Sequence, residues 1–226
     1  MIPLRDDNPV RATPVVTIGI IALCVLVFIW EWTLPPDEAA VAVYQYGFLP
    51  GALFGSVRVE GAVVAPALTI FSSMFLHGGL LHLLGNMLYL WIFGDNIEDR
   101  LGRVRYIAFY LICGVVAALA QALPNMDSDI PMIGASGAIS GVLGAYLVLY
   151  PRANVLVVLP VFIVFYTFRV PALLVLGFWF LGQLMSSIAQ SGQGGGIAFG
   201  AHVGGFLAGL VLIRLFLRER RSPRFQ

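Results

Sequence analysis

The chain has 226 residues, of which 59% are hydrophobic and only 11% charged, with a formal net charge of +1 and a mean hydropathy of +0.91. A soluble domain of this size carries about a quarter charged residues, so a soluble single domain, a disordered chain and a nucleic-acid-binding surface are excluded. What remains is an all-α, polytopic membrane protein, forming a single domain over 1–226 with its core at about 14–218.

The charges are clumped. No Asp, Glu, Lys or Arg occurs from 61 to 94, from 130 to 151 or from 170 to 213. A spanning helix needs roughly 20 apolar residues, so the last gap holds two, and six spans are predicted in all. The first covers 15–32 and stops at Leu34-Pro35-Pro36, because proline cannot continue a helix. The long segment 37–76 is mixed in polarity and too long for an ordinary connector, which predicts a structured, functional outer loop. The second span covers 80–96, the third 105–123 and the fourth 136–150, the last two closed by Pro124 and Pro151. The stretch 154–168 is apolar but rich in β-branched residues, interrupted by Pro160 and flanked by Arg152 and Arg169, and reads as an interfacial loop. The fifth span covers 171–190 and the sixth 197–217. Cys24 and Cys113 lie in apolar runs and read as buried thiols. The first dozen residues, with Asp6 and Asp7 among two arginines, resemble neither a transit peptide nor a cleavable signal, and the short tails argue against an organelle-targeted form.

All 13 basic residues are arginine. With the N-terminus inside, only Arg58 lies outside, so cytoplasmic tails at 1–13 and 219–226 are expected.

The fourth span is short. Fifteen residues rise about 22 Å, against a hydrocarbon core about 30 Å thick. Its first backbone N–H groups cannot face lipid, which predicts an outward-open, water-containing pocket with Ser136 at its floor. On position alone Ser136 reads as a helix N-cap. Gly137 and Gly141, and Ser140 and Gly144, form small-residue pairs on this span; Ala201, Gly205 and Gly209 form another set on the sixth. His202 shares the face of Gly205 and Gly209. If the two faces meet, Ser136 meets His202; the plainer reading is helix packing with a satisfied core histidine. Ionisable residues inside a membrane default to function. His82 and Asn86 are four apart, on one helix face, and suit donation to a developing oxyanion. His77 precedes Gly78-Gly79 and pins the outer loop. His77 and His82 are five apart and no H-E-x-x-H motif is present, so neither a metal nor a cofactor is expected.

H-G-G-L-L-H-L-L-G-N at 77–86, G-A-S-G at 134–137 and A-H-V-G-G-F-L-A-G at 201–209 together resemble the rhomboid family of intramembrane serine proteases, over about residues 14–218. The resemblance implies a six-helix rhomboid-like fold. It implies Ser136 as nucleophile and His202 as general base, acting through an acyl-enzyme. The oxyanion would be held by the Ser136 N–H, His82 and Asn86, with His77, Gly134, Gly137, Gly205 and Gly209 supporting the site. Substrates would be single-span membrane proteins cut at or near their transmembrane segment, in the cell membrane; the oligomeric state stays open. S-G-Q-G-G-G at 191–196 would cap the pocket or serve as a plain turn, and Phe178, Trp179 and Phe180 would form a lateral gate or face lipid. Two features depart from the family pattern. Ser140 stands where an aromatic residue usually stacks on the histidine, so Ser140 itself is expected to orient His202. The usual tryptophan–arginine pair is missing from the outer loop. Other readings are a catalytically inactive, client-binding relative and a small transporter, though no inverted repeat with broken helices is visible.

Overall fold

A helix stands at each of the six expected spans. The computed structural model describes residues 2–189 and 198–217, so the proposed cap at 191–196 and the tail beyond 217 lie outside the described residues. β1 (Ile2–Asp6) precedes α1 (Val15–Thr33). The chain re-enters helix at once in α2 (Pro36–Tyr46), because Pro36 fits the first helical position and Asp37 and Glu38 face the positive helix end. α3 (Pro50–Phe54), α4 (Thr69–Ser72) and a 3-10 turn (Ser73–Phe75) follow, so the long outer loop is structured. α5 (Leu80–Leu101), α6 (Arg103–Ala122), α7 (Ser136–Leu149), β2 (Asn154–Val161), β3 (Val164–Pro171), α8 (Ala172–Ala189) and α9 (Phe199–Phe216) complete the order.

α1, α6 with the turn that extends it to Asn125, α8 and α9 are long and apolar enough to cross a membrane. The bent pair Thr69–Phe75 and Leu80–Leu101, at 94°, makes a fifth crossing if taken as one span. α7 has 14 residues, about 21 Å. It is short because it is enclosed: every residue from Gly137 to Tyr146 is buried.

The expectation of an all-α chain is corrected at 154–168. That segment is not a loop but most of an antiparallel hairpin, joined by β1 into a sheet of order β1-β2-β3. Branched residues at alternate positions explain it, since Val155 and Val157 are fully buried on one side of β2. Pro160 is tolerated near the hairpin end, opposite Phe165. The sheet is pinned by paired bonds. Asp7 N–H donates to Asn154 O (3.0 Å), while Asn154 N and Nδ2 donate to Asp7 Oδ1 (2.8 Å) and Oδ2 (2.9 Å). Tyr146 Oη donates to Asp6 Oδ2 (2.5 Å), and Asn96 Nδ2 donates to the same oxygen (3.0 Å).

These contacts gather one end of the bundle. The start of α1 meets the end of α5, where Val16 N and Thr17 N donate to Glu98 at 2.9 and 2.8 Å. Arg105 Nη1 donates to Phe216 O at the end of α9 (3.2 Å). Among the described arginines, all but Arg58 belong to segments at this end. Arg58 lies at the other, beside Tyr44 and Val57 of the outer loop.

α7 and α9 meet backbone to backbone. A Cβ on Gly205 would overlap the carbonyl oxygen of Gly137, one on Gly209 that of Gly141, and one on Gly144 that of Phe206. The two small-residue faces therefore do meet. Gly209→Ala is expected to cost about 1–3 kcal/mol by overpacking. Gly177→Ala on α8, with nothing within 4 Å of its Cβ, leaves stability unchanged or raised; thermal unfolding in detergent compares the two.

The two acids of the N-terminal strand region carry opposite signs of pH dependence. Burial pushes the Asp6 carboxyl above its usual range, partly offset by the Tyr146 hydrogen bond. The folded state holds that proton more tightly than the unfolded one, so stability from Asp6 falls as pH rises through its elevated value. Asn154 holds Asp7 below the usual range, so its stabilisation is lost as pH falls through the lowered value. Unfolding midpoints against pH are expected to lose the first slope in Asp6→Asn and the second in Asp7→Asn.

Candidate active site

The N-terminal turn of α7 is placed by the chain before it. Phe48 N donates to Met132 O (3.0 Å), Met132 N returns a bond to Phe48 O (2.8 Å), and Gly134 N donates to Ser73 O (2.8 Å). The outer loop thus holds, at two points, the stretch of chain that leads into Ser136. Ser136 is the first residue of α7, and the cap position before it is Ala135. The N-cap reading of Ser136 is corrected: its side chain makes no capping bond. Instead Ser136 Oγ lies 2.8 Å from His202 Nε2.

His202 sits in the first turn of α9. That helix start is fixed from α6, where Gln121 Oε1 accepts from Ala201 N (3.2 Å). The other ring nitrogen, Nδ1, lies 2.6 Å from Gln183 Oε1 on α8. An amide oxygen is an acceptor, so Nδ1 carries the proton and donates it. Nε2 is then the unprotonated nitrogen, and the Ser136 hydroxyl donates to it. The expected bond from Ser140 to His202 is absent. Ser140 Oγ donates back along its own helix to Ser136 O at 2.6 Å, the usual fate of a helical serine. Orientation comes from Gln183, with Trp179 6.1 Å from the imidazole centroid and Phe199 6.2 Å away, edge to face.

Sequence reasoning overlooked Gln183. The signal was present: it is the one amide in an apolar helix, four residues after Trp179 and so on the same face. The three aromatics of α8 separate. Phe178 is 64% exposed, Trp179 reaches His202, and Phe180 stacks on Phe206 at 4.6 Å.

His82 and Asn86 occupy one face of α5, as their spacing requires. Asn86 is buried and its Nδ2 donates to His82 O (2.9 Å), which leaves its second N–H free of that bond. Gly134 joins His82 to Ser136. A methyl group built on it would lie 2.8 Å from His82 Nε2 and 3.6 Å from Ser136 Oγ, at a φ of +120°. Only glycine leaves that space open without strain. His77 is buried between α1 and α5. Its backbone N–H donates to Glu31 Oε2 (3.3 Å), its Nδ1 donates to Phe75 O (3.1 Å), and its ring stands 5.2 Å from that of His82. It braces His82 and the 3-10 turn. Gly137, Gly205 and Gly209 lie in the α7–α9 contact.

Ser136 and His202 are half-buried. Cavities of about 350 and 440 Å³ lie under the outer loop, lined by Tyr44, Gln45, Val57 and Arg58. Chemically, a hydroxyl with a neutral imidazole acceptor, at a helix N-terminus beside a histidine and an amide, is equipped for nucleophilic attack with anion stabilisation.

Known proteins share this arrangement of sequence. A family model described as the rhomboid domain matches residues 65–219. Rhomboid protein 1, mitochondrial, of Saccharomyces cerevisiae is 30% identical over 175 residues, covering 72% of this chain and 46% of that protein. The rhomboid protease GluP of Bacillus subtilis is 34% identical over 145 residues, 63% of this chain and 25% of that protein. The presenilin-associated rhomboid-like protein, mitochondrial, of Homo sapiens is 32% identical over 147 residues, 64% of this chain and 35% of that protein. The chain thus spans less than half the length of these relatives.

The space above Gly134 is a sharp test of the geometry. Gly134→Ala is expected to cost about 1–3 kcal/mol through its backbone conformation and to push the His82 ring aside. Gly78→Ala, whose Cβ meets only Ile133 at 3.6 Å, serves as the tolerated control. Thermal unfolding in detergent reads both.

Proposed function

The chain belongs to the rhomboid family, and from that premise we propose that it is an intramembrane serine endopeptidase with Ser136 as nucleophile and His202 as general base. The observation that carries the reading is the 2.8 Å contact between Ser136 Oγ and His202 Nε2, with Nδ1 tied to Gln183. Ser136 attacks a peptide carbonyl as Nε2 takes its proton. The imidazolium hands that proton to the leaving amine, and an acyl-enzyme remains. Neutral His202 then draws a proton from water, which attacks the ester, and the imidazolium returns that proton to Ser136 Oγ as the acyl–oxygen bond breaks. Ser136 opens its helix, so its own N–H has no intrahelical acceptor. That N–H, His82 Nε2–H and the second Asn86 N–H are the oxyanion donors, with the α7 dipole behind them. Gln183 is a positioning residue: it selects the tautomer that leaves Nε2 free to accept.

The substrates in this reading are single-span membrane proteins, unwound at the cut because a helix hides its carbonyls. The chain acts as one domain with six crossings, α7 being the short one, in the cell membrane. Its arginine-rich end faces the cytoplasm by the positive-inside rule.

Purified protein in liposomes with a model transmembrane substrate tests the proposal, alongside labelling by a fluorophosphonate. Cleavage and labelling are expected in the wild type. Ser136→Ala and His202→Ala are expected to lower cleavage by about 10³-fold or more, and His82→Ala or Asn86→Ala by about 10²–10³-fold. Cleavage that survives both dyad variants overturns the assignment. A wild type inert to the label and to several substrates favours the client-binding reading. For Gln183, replacement by Leu is expected to lower kcat about tenfold, the upper end of one net hydrogen bond. KM should hold, and Gln183→Glu, which keeps an oxygen acceptor, should recover most of the rate. A change confined to KM removes Gln183 from the mechanism.

A further inference from the structure

The sheet at the arginine-rich end has two chemically different faces, because successive residues of a strand point to opposite sides. One face carries the pairs Val155–Val170, Val157–Phe168, Leu159–Tyr166 and Val161–Val164. The other carries Asn154–Pro171, Leu156–Arg169, Val158–Thr167 and Pro160–Phe165, with Arg5 of β1 opposite Leu156; it holds the arginines, and near the tip Phe165, which is 69% exposed. The first face packs on the bundle at its root. Val155 and Val157 are fully buried there, and Asp6, paired with Val155, reaches Tyr146 of α7. A hairpin keeps its faces along its length, so beyond the bundle this apolar face still looks toward the membrane plane. There it is bare: Leu159, Val161, Val164, Tyr166 and Phe168 are 38–55% exposed. The tip residues Phe162 and Ile163 are 99% and 91% exposed.

Two observations say what covers it. β3 ends at Pro171 and α8 begins at Ala172, with no loop between. α8 is long and apolar enough to cross a membrane, and its Leu173, Leu174, Phe178 and Leu181 are 47–64% exposed. The bare hairpin face is therefore continuous with a lipid-facing belt. Charge agrees: Arg5 and Arg169 lie on the opposite face, and Arg152 at the root, where anionic headgroups are met. Among the described residues, the outer edge of β3 has no partner strand. Unpaired backbone groups do not enter hydrocarbon, which sets the depth at the interface.

We propose that the β2–β3 hairpin is an interfacial membrane anchor, lying on the leaflet at the arginine-rich end with its apolar face and Phe162–Ile163 tip buried at the headgroup/acyl boundary. The partner is the bilayer itself. The anchor stands independently of the protease reading, since it requires only that the bundle be embedded. Its root joins α7 to α8, so it holds α8, the helix that carries Gln183, at a fixed height.

The full chain in liposomes of mixed neutral and anionic lipid tests this. Cys24 and Cys113 are fully buried, so Phe162→Cys and Ile163→Cys each offer one accessible thiol for an environment-sensitive fluorophore. Thr167→Cys reports the opposite face. The tip labels are expected to emit blue-shifted and to be quenched most by shallow nitroxide lipids, at roughly 5–10 Å depth. The label at 167 is expected to be quenched several-fold more by aqueous iodide than the tip labels. Tip labels with aqueous emission overturn the proposal, because the hairpin then stands in water. Blue-shifted tip labels that no nitroxide lipid quenches overturn it as well, in favour of a second copy or a protein partner.

Discussion

The carbonyl oxygens of Gly137 and Gly141 occupy the places where Cβ atoms on Gly205 and Gly209 would be. In lipid no hydrophobic force pulls two apolar helices together, so close backbone approach and dispersion have to do it. Contact at this range also fixes register, because a shift of one residue would drive a side chain into a carbonyl. Ser136 directly precedes Gly137, and His202 lies three residues before Gly205. Once the glycines are in register, the hydroxyl and the imidazole are 2.8 Å apart. The geometry of the dyad is thus set by residues with no functional group at all.

α8 works differently. It packs through rings, Phe180 on Phe206 and Trp179 against both Phe206 and His202. Of its 18 residues only Ala172, Val175 and Leu176 are buried. Yet it supplies Gln183, the acceptor that fixes the tautomer of His202. The imidazole is therefore gripped on one side by a rigid glycine seam and on the other by a more loosely held helix. Any displacement of α8 would remove the Nδ1 partner and the Trp179 contact together, while leaving the Ser136–His202 distance under the control of α9.

Much of this was legible in the chain. Charge gaps located the helix of each of the six expected spans within a few residues, because the membrane excludes charge wherever a span runs; the short helices of the outer loop were not located. The largest error at a helix end was at α5, which continues past Asn96 to Leu101 through Glu98. A carboxylate there looked like the end of a span; in fact it is buried and satisfied by the start of α1. The sheet was missed for a related reason. An apolar stretch broken by Pro160 has no length or period that separates a hairpin from a loop, and β1 pairs across about 150 residues, a contact no local pattern encodes. Ser136, His202, His82 and Asn86 stand out in the sequence because polar groups are costly in lipid, and the structure brings Ser136 to His202 and Asn86 to His82. Gln183 stood out in the same way, and attention to histidine and serine hid it. Ser140 failed as a prediction because a helical serine finds its own carbonyl before it finds a neighbour.

The way each polar group is satisfied separates structure from chemistry. At the arginine-rich end Glu98 accepts from Val16 N, Thr17 N and Thr17 Oγ1, at 2.9, 2.8 and 2.9 Å. It stands in for the capping side chain that α1, led by Pro14, does not have. Two of those donors are backbone amides whose protons stay where they are. Such a group is locked, and burying it contributes only architecture. At the other end the Ser136 hydroxyl donates to His202 Nε2, an acceptor that can take up its proton. Gln183 offers the imidazolium an acceptor on its far side. The polar groups beside them, His82 and Asn86, are donors with capacity left over. A half-buried hydroxyl–imidazole pair, beside donors not yet fully used, is what the proposed attack by Ser136 requires. That contrast between saturated and unsaturated polarity, inside one bilayer-sized bundle, separates the Ser136–His202 pair from the locked Glu98 contact at the arginine-rich end.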